Sequence, residues 1–270
     1  MTLDREQLER LSNERAKAVH VGKAVSLCRV LGKYKLYVDA SDDSIAPSLL
    51  MDGVWESWIT IALLRIARPG MVVVNVGANV GYYAILLGDI VGPEGKVHAF
   101  EPQSSLVELI RKSARANGLY ERVNVQPLAV GDSDKESVRL LHHPGQNGYT
   151  FVQDAQEIHH VVRDLHPMAC RQVTLDTVLP TGKPVDLLVM DCEGSEERVW
   201  DGMQAVLDCS PKLQVVLEFT PMFFSDPMRF AQKLLSRGHQ MFEIDTNGGF
   251  VAITPEELCV KYQTNIALLK

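Results

Sequence analysis

The residues best suited to chemistry in this chain stand at the ends of short apolar runs. Asp191 and Glu193 follow the run at 185–190, and Glu218 follows the run at 213–217. A carboxylate at the carboxyl end of a buried strand can take the proton from a hydroxyl as its oxygen attacks, which makes all three candidate bases. His160 competes with them, because an imidazole titrates near neutrality without help. It lies within 141–171, which holds five of the eight histidines.

A second pattern binds rather than reacts. Val72-Val73-Val74-Asn75-Val76 runs into Gly77-Ala78-Asn79-Val80-Gly81, which reads as a buried strand, a glycine loop and the start of a helix. Gly77 permits a sharp turn, and Gly81 lets the helix pack close to the strand. Twenty residues after Gly81, a further run ends at Glu101-Pro102. An acid there can accept hydrogen bonds from both ribose hydroxyls of an adenosine. A dinucleotide fingerprint wants glycine two and five residues after Gly77, so that bare backbone approaches a pyrophosphate. Asn79 and Tyr82 occupy those positions, which points away from NAD or FAD and toward S-adenosylmethionine, whose adenosine carries no pyrophosphate.

Positioning these groups requires a sheet. From Met71 onward, apolar runs of four to six residues alternate with helical segments, the pattern of parallel strands buried on both faces. Strands are expected over 72–76, 96–100, 123–127, 185–190 and 213–217, with helices over 81–87, 104–117, 195–207 and 228–236. The tail offers strands at 240–244 and 250–253 about Asn247-Gly248, and a last strand at 265–269. Ahead of the sheet, residues 1–70 read as an N-terminal extension: a charged helix over 4–19, a strand pair over 27–39 and a helix over 47–67. The catalytic domain is then 71–270. Residues 141–171 interrupt it without clear periodicity, as a lid or binding loop would.

With 46% hydrophobic and 23% charged residues in 270, the chain can bury its own core without disulfides or metals. Its 27 basic against 34 acidic groups leave a formal charge of −7, which argues against nucleic acid as a partner. Five scattered cysteines without a C-x-x-C pair suit reduced thiols in the cytoplasm. The amino terminus resembles no export signal, and the most apolar stretch, 70–88, is broken by Asn75, Asn79 and glycines, so no membrane span is expected.

Together these strings resemble the FkbM-type methyltransferases, which use S-adenosylmethionine. The resemblance rests on Val76-Gly77-Ala78-Asn79-Val80-Gly81-Tyr82-Tyr83, on Gly92-Pro93-Glu94-Gly95-Lys96-Val97 leading to Ala99-Phe100-Glu101-Pro102, and on Ala129-Val130-Gly131-Asp132. It continues through Thr174-Leu175-Asp176-Thr177-Val178-Leu179 and 185–196, where Asp191-Cys192-Glu193-Gly194-Ser195-Glu196 stands, and it covers about 36–269. Asn75 departs from the family's usual aspartate, and Met190-Asp191 from its isoleucine-aspartate.

The resemblance implies a Rossmann-like class I methyltransferase sheet, mostly parallel with an antiparallel strand near its C-terminal end, behind a helical and hairpin extension. It implies O-methyl transfer to a hydroxyl of a sugar, glycoside or polyketide-type metabolite. Carried over residue by residue, it places Gly77, Asn79 and Gly81 around the methionine moiety, Glu101 on the ribose and Asp132 near the adenine. Glu56 matches a family glutamate before the glycine motif that could touch the cofactor. Asn75, Tyr82, Pro102 and Asp191 complete the expected cofactor set. Mg2+ could orient a diol in such a site, although no ligand spacing calls for a metal. Two rival readings stay open: a non-catalytic adenosine-binding scaffold, and an NAD-dependent oxidoreductase. Leu8, Leu11 and Val19 give the first helix an apolar side that needs a partner surface, on this chain or on a second copy in a homodimer.

Overall fold

The computed structural model describes residues 4–152 and 164–270. Helix α1 (Arg5–Arg15) starts at a capping box: the Asp4 carboxylate accepts from the Gln7 N–H at 2.8 Å, and the Gln7 side chain accepts from the Asp4 N–H at 3.2 Å. Strands β1 (Lys17–Gly22), β2 (Val25–Val30) and β3 (Tyr34–Asp39) follow as an antiparallel sheet in that order. The helix is therefore shorter than the expected 4–19, and the strand pair gains a third member. Every residue of β1 is exposed, so no burial alternation marked it in the sequence. Leu8 is buried within this chain, with α1 packed on the helix that carries Ser57 and Trp58.

The helix expected over 47–67 is two helices, α2 (Ala46–Met51) and α3 (Ser57–Ile66). Gly53 and Glu56 divide them with left-handed backbones, φ +67° and +38°. A Cβ on Gly53 would stand 2.9 Å from the Arg29 carbonyl oxygen, so β2 leaves space there for glycine alone.

Next come β4 (Val72–Val76), α4 (Tyr82–Ile90), β5 (Lys96–Phe100), α5 (Ser104–Ala116) and β6 (Val123–Gln126). Strands β7 (Ala129–Val130), β8 (Lys135–His143), β9 (Gln146–Val152) and β10 (His166–Val173) build a small sheet ordered β7-β10-β8-β9. Most of the described part of 141–171 is thus strand rather than irregular loop. The chain closes with α6 (Leu175–Val178), β11 (Leu187–Met190), α7 (Glu196–Asp201), α8 (Gln204–Cys209), β12 (Gln214–Phe219), α9 (Pro227–Leu235), β13 (Gln240–Ile244), β14 (Phe250–Ala252), α10 (Pro255–Cys259) and β15 (Thr264–Leu269). The helix expected over 195–207 breaks at Gly202, where a Cβ would meet the Gly131 carbonyl oxygen at 2.0 Å.

The main sheet has eight strands in the order β14-β13-β15-β12-β11-β4-β5-β6. Strands β12, β11, β4, β5 and β6 are parallel, and β15 inserts antiparallel between β12 and β13. This is the mostly parallel, Rossmann-like α/β sheet the sequence implies, with its antiparallel strand near the C-terminal end. Side chains alternate between two buried faces: Val73, Leu187 and Val189 pack toward Ile59, Ile85 and Ile110, while Val74, Leu188 and Met190 pack toward Trp200, Val206 and Phe230. Burial on both faces is why these strands read as unbroken apolar runs. Among the described residues no helix is long and apolar enough to cross a membrane.

Candidate active site

Strand register sets the site. Val76 pairs with Phe100 on one side and Met190 on the other, and Met190 pairs with Leu217. The next residue on each strand therefore falls in one row: Glu101, Gly77, Asp191, Glu218. At ~4.8 Å between strands the row runs about 14 Å along the carboxyl edge of the sheet.

At one end, Glu101 is 4% exposed. Its Oε2 accepts from the Asn79 N–H and its Oε1 from the Gln103 N–H, both at 2.9 Å. Burial pushes this carboxyl up to about 7, against the pull of the two amides toward the ionised form. A carboxylate oxygen accepts more than one bond, so the group keeps capacity for ligand hydroxyls. Asn79 reaches Glu101 through a left-handed backbone, φ +49°, and its Nδ2 donates to the Asn147 carbonyl oxygen at 3.3 Å. Gly77 has φ +76°, and a Cβ there would lie 1.7 Å from the Asp191 carbonyl oxygen. Glycine thus lets two neighbouring strand ends touch. Gly81, φ +86°, packs against Ile110 of α5, and lies outside the cavity walls.

Two adjoining cavities lie over this row. The smaller, about 70 Å³, is walled by Phe100, Glu101, Pro102, Val130 and Leu140. The larger, about 320 Å³, is walled by Glu56, Asn75, Tyr82, Glu193, Glu218 and Thr220 among others. Gly77, Asn79, Asp191 and Glu193 border both. Asp132 borders neither: its carboxylate accepts from Arg198 Nε of α7 at 3.2 Å and from Ser133 Oγ at 2.7 Å. His160 lies outside the described residues.

Four carboxyl groups meet at the larger cavity. Burial raises Asp191 to about 6. Burial and then the neighbouring Asp191 charge raise Glu56 to about 7 and Glu218 to about 9, and hold Glu193 well above the usual range. The Tyr83 hydroxyl donates to Glu56 Oε2 at 2.6 Å, and Gln263 Nε2 donates to Glu218 Oε1. Glu193 stands in the left-handed region at φ +52°, a strained position for a residue with a Cβ. The buried Asn75 Oδ1, Asn79 Oδ1 and Thr220 Oγ1 have no hydrogen-bond partner in the described structure. Among the described residues no cluster of three His, Cys, Asp or Glu side chains could hold a metal ion.

A roof closes the cavities from above. Ser44, Ile45, Gly148 and Phe151 line the larger one. Asp42, 3% exposed, accepts from the N–H groups of Ile45 at 3.0 Å, Ala46 at 2.9 Å and Asn147 at 2.9 Å, which ties the extension to the β8–β9 hairpin. Gln103 Nε2 donates to Thr150 Oγ1 at 2.9 Å and secures the hairpin to the sheet edge.

The family model of the methyltransferase FkbM domain matches residues 75–241, which spans the glycine loop, Glu101 and the Asp191-Glu193 turn. The chain belongs to the FkbM methyltransferase family. Two curated proteins share shorter stretches with it. The protein-L-isoaspartate O-methyltransferase of Methanothermobacter thermautotrophicus is 37% identical over 65 residues, 24% of this chain and 30% of that protein. The enzyme of the same name from Ignicoccus hospitalis is 40% identical over 68 residues, 25% of this chain and 30% of its own. The chain therefore spans less than a third of the curated relatives it matches. Among solved structures, a SAM-dependent methyltransferase from Aquifex aeolicus aligns with a TM-score of 0.45 at 14% identity, covering 83% of this chain and 93% of that one. The O-methyltransferase TomG from Streptomyces achromogenes aligns with a TM-score of 0.44 at 17% identity, covering 80% and 78%.

Several residues of this FkbM-family site escape sequence reasoning. Thr220 and Gln263 reach the cavity from just past β12 and just before β15, and Trp55 and Tyr83 flank Glu56. Thr220 carried a signal, since it follows an apolar run as Glu218 does. Glu196, 2% exposed, carried none: it looks like a solvated first-turn acid, yet its Oε1 accepts from the Cys192 N–H at 2.8 Å and braces the Asp191-Glu193 turn from behind.

Proposed function

We propose that this protein is an S-adenosylmethionine-dependent O-methyltransferase acting on a hydroxyl of a sugar, glycoside or polyketide-type metabolite. The observation that carries the proposal is the in-register row Glu101, Gly77, Asp191, Glu218 beneath two joined cavities.

The residues present fit the cofactor. Glu101 is already fixed by two backbone amides, so its remaining lone pairs face ligand hydroxyls without further ordering. Phe100, Pro102, Val130 and Leu140 give the adjoining cavity apolar walls suited to a purine. The unpartnered Asn75 Oδ1 and Asn79 Oδ1 call for donors, which the amino group of a methionine moiety carries. When bound, the cofactor supplies a methyl group on a sulfonium sulfur, which an acceptor oxygen takes by in-line displacement. Asp191, ionised above about pH 6, accepts the proton of the acceptor hydroxyl, while the roof of Ser44, Ile45 and Phe151 keeps bulk water from competing for the same position.

Calorimetric titration with S-adenosylhomocysteine and with NAD, followed by transfer of labelled methyl to a panel of glycans, glycolipids and macrolides, tests this reading. Saturable binding of the former alone, with label recovered as a methyl ether, is the expected outcome. Asp191→Asn is expected to lower turnover at saturating cofactor by roughly 10²-fold or more, the range for losing a general base. Binding of NAD in place of S-adenosylhomocysteine overturns the cofactor assignment, and full turnover by Asp191→Asn overturns the base.

A further inference from the structure

The larger cavity gathers more carboxyl groups than a neutral acceptor needs. Glu56, Asp191, Glu193 and Glu218 all reach its wall, and among the described residues no lysine, arginine or histidine does. One more oxygen stays unassigned by the cofactor reading: Thr220 Oγ1 belongs to a residue 5% exposed, lines the same wall and is unpartnered. An ionised carboxylate can only accept, so a ligand that pairs with Glu218 beside Thr220 must bring donors.

Charge bookkeeping sharpens the requirement. The proposed cofactor brings a sulfonium, an ammonium and a carboxylate, one net positive charge against four carboxyl groups. Position says which acid it leaves unmatched. Glu218 is one strand beyond Asp191 and two strands, about 10 Å, from Gly77, on the side away from Glu101. Thr220, Met222 and Phe223 continue the wall from Glu218, and Tyr262 and Gln263 enter beside it. Gln263 Nε2 donates to Glu218 Oε1 and holds the carboxylate at the cavity wall. With a neutral acceptor Glu218 stays in its protonated form, because burial and the neighbouring Asp191 charge disfavour ionisation, and a cation placed beside it reverses that preference. A protonated amine supplies the charge and three N–H donors, and Phe223 and Tyr262 bring aromatic rings to the same wall.

We propose that the acceptor carries a protonated amine beside the hydroxyl to be methylated, as an amino sugar does, and that Glu218 and Thr220 bind its ammonium group. The proposal rests on the methyltransferase reading above and specifies the acceptor class of that site.

The test uses matched acceptors that differ only in charge: methyl glucosaminide against methyl glucoside, and methyl galactosaminide against methyl galactoside. Each is titrated into the full chain saturated with S-adenosylhomocysteine, and each is offered with labelled cofactor for methyl transfer. The amine member of at least one pair is expected to bind tenfold or more tightly than its neutral twin and to show the higher kcat/KM. In Glu218→Gln that preference is expected to fall below threefold, chiefly through KM. Thr220→Val, which removes a hydroxyl at similar volume, is expected to weaken the amine by a larger factor than the glucoside. Twins that respond within threefold of each other in both pairs, absence of any response included, overturn the proposal, as does an amine preference that survives Glu218→Gln. Failure to bind S-adenosylhomocysteine is a different result and overturns the methyltransferase reading itself.

Discussion

Replacing Glu101 with glutamine keeps the side chain's shape and takes away one acceptor. In the protein as it stands both carboxylate oxygens are engaged, Oε2 by the Asn79 N–H and Oε1 by the Gln103 N–H, each at 2.9 Å. A glutamine can satisfy one of these amides and must turn its own NH₂ toward the other. One buried amide then loses its partner, and one ligand hydroxyl loses its acceptor. A hydrogen bond to a charged group contributes about 1.5–3 kcal/mol, so binding of S-adenosylhomocysteine should weaken by about 2–4 kcal/mol once the misplaced amide is included, roughly 30- to 1000-fold. Calorimetric titration at pH 8 reads this directly, and thermal unfolding of the ligand-free variant shows whether the pocket still folds. A second arm uses the proton. Burial pushes Glu101 up to about 7, and only its ionised form can accept from both ribose hydroxyls. Wild-type affinity should therefore hold steady above pH 8 and fall below pH 7 by as much as about tenfold per pH unit, while Glu101→Gln loses this dependence. A variant that binds within threefold of wild type, or a wild-type affinity that is flat from pH 8 to pH 6, would refute the ribose assignment.

Three further outcomes follow from the same geometry. Gly77→Ala must place a methyl group against the Asp191 carbonyl oxygen with φ at +76°, so urea unfolding should show a loss of about 3 kcal/mol or more; wild-type stability would mean that the two strand ends do not touch. Asp42→Ala removes the acceptor shared by Ile45, Ala46 and Asn147, which should cost about 2–4 kcal/mol and weaken S-adenosylhomocysteine binding through loss of the roof; a change in neither would free the hairpin from any dependence on Asp42. The ligand-free protein should also be more stable at pH 6.5 than at pH 8.5. Glu56, Glu101 and Glu196 are raised to about 7 from 4.5, so the folded state binds more protons than the unfolded chain in this window, and stability falls as pH rises through 7. Each group contributes roughly 0.8 kcal/mol between those pH values, or about 5–10 °C in Tm for the three together. His98, His142 and His239 are lowered by burial and act in the opposite direction up to about pH 7.5, by at most about 0.4 kcal/mol each at pH 6.5, so together they offset at most about half of the carboxyl contribution and leave its sign unchanged. A Tm equal or lower at pH 6.5 would show that these carboxyl groups are not held protonated by burial.

The parts of the fold that were legible in the sequence are those buried on two faces. Strands β4 and β11 carry apolar residues at nearly every position because one face meets Ile59, Ile85 and Ile110 while the other meets Trp200 and Phe230. Strand-end position then placed Glu101, Gly77, Asp191 and Glu218 at one edge. What could not be read depends on a partner distant in sequence. Strand β8 pairs with β10 across twenty-odd residues, with His142 opposite His166, and neither strand has an apolar alternation to announce it. The break between α2 and α3 is set by the Arg29 carbonyl oxygen crowding Gly53, and that break turns Glu56 from a helix-face acid into a cavity wall. Asp132 shows the same limit from the other side: its place after a strand is visible in the sequence, but its ion pair with Arg198 depends on where α7 comes to rest.

The first seventy residues belong to the site rather than decorating it. The sheet edge provides the floor, and its row of residues runs from Glu101 to the far carboxylate Glu218. Ser44, Ile45, Trp55 and Glu56 come from the extension and close the side of the cavity that the row leaves open, and Asp42 fixes the Asn147 end of the hairpin above it. Floor and roof therefore answer to different constraints. The floor is dictated by strand register and by one close approach, Gly77 on Asp191, so it suits an invariant ligand such as a common cofactor. The roof is assembled from two segments far apart in sequence, joined by the Asn147 N–H to Asp42, the Gly148 N–H to Ser44 Oγ and the Asp43 N–H to the Gly145 carbonyl oxygen, so its lining residues Ile45 and Phe151 can change size without disturbing the sheet. Under the proposed function, acceptor choice falls to the extension, the hairpin and the Glu218 end, and cofactor choice to β4 and β5.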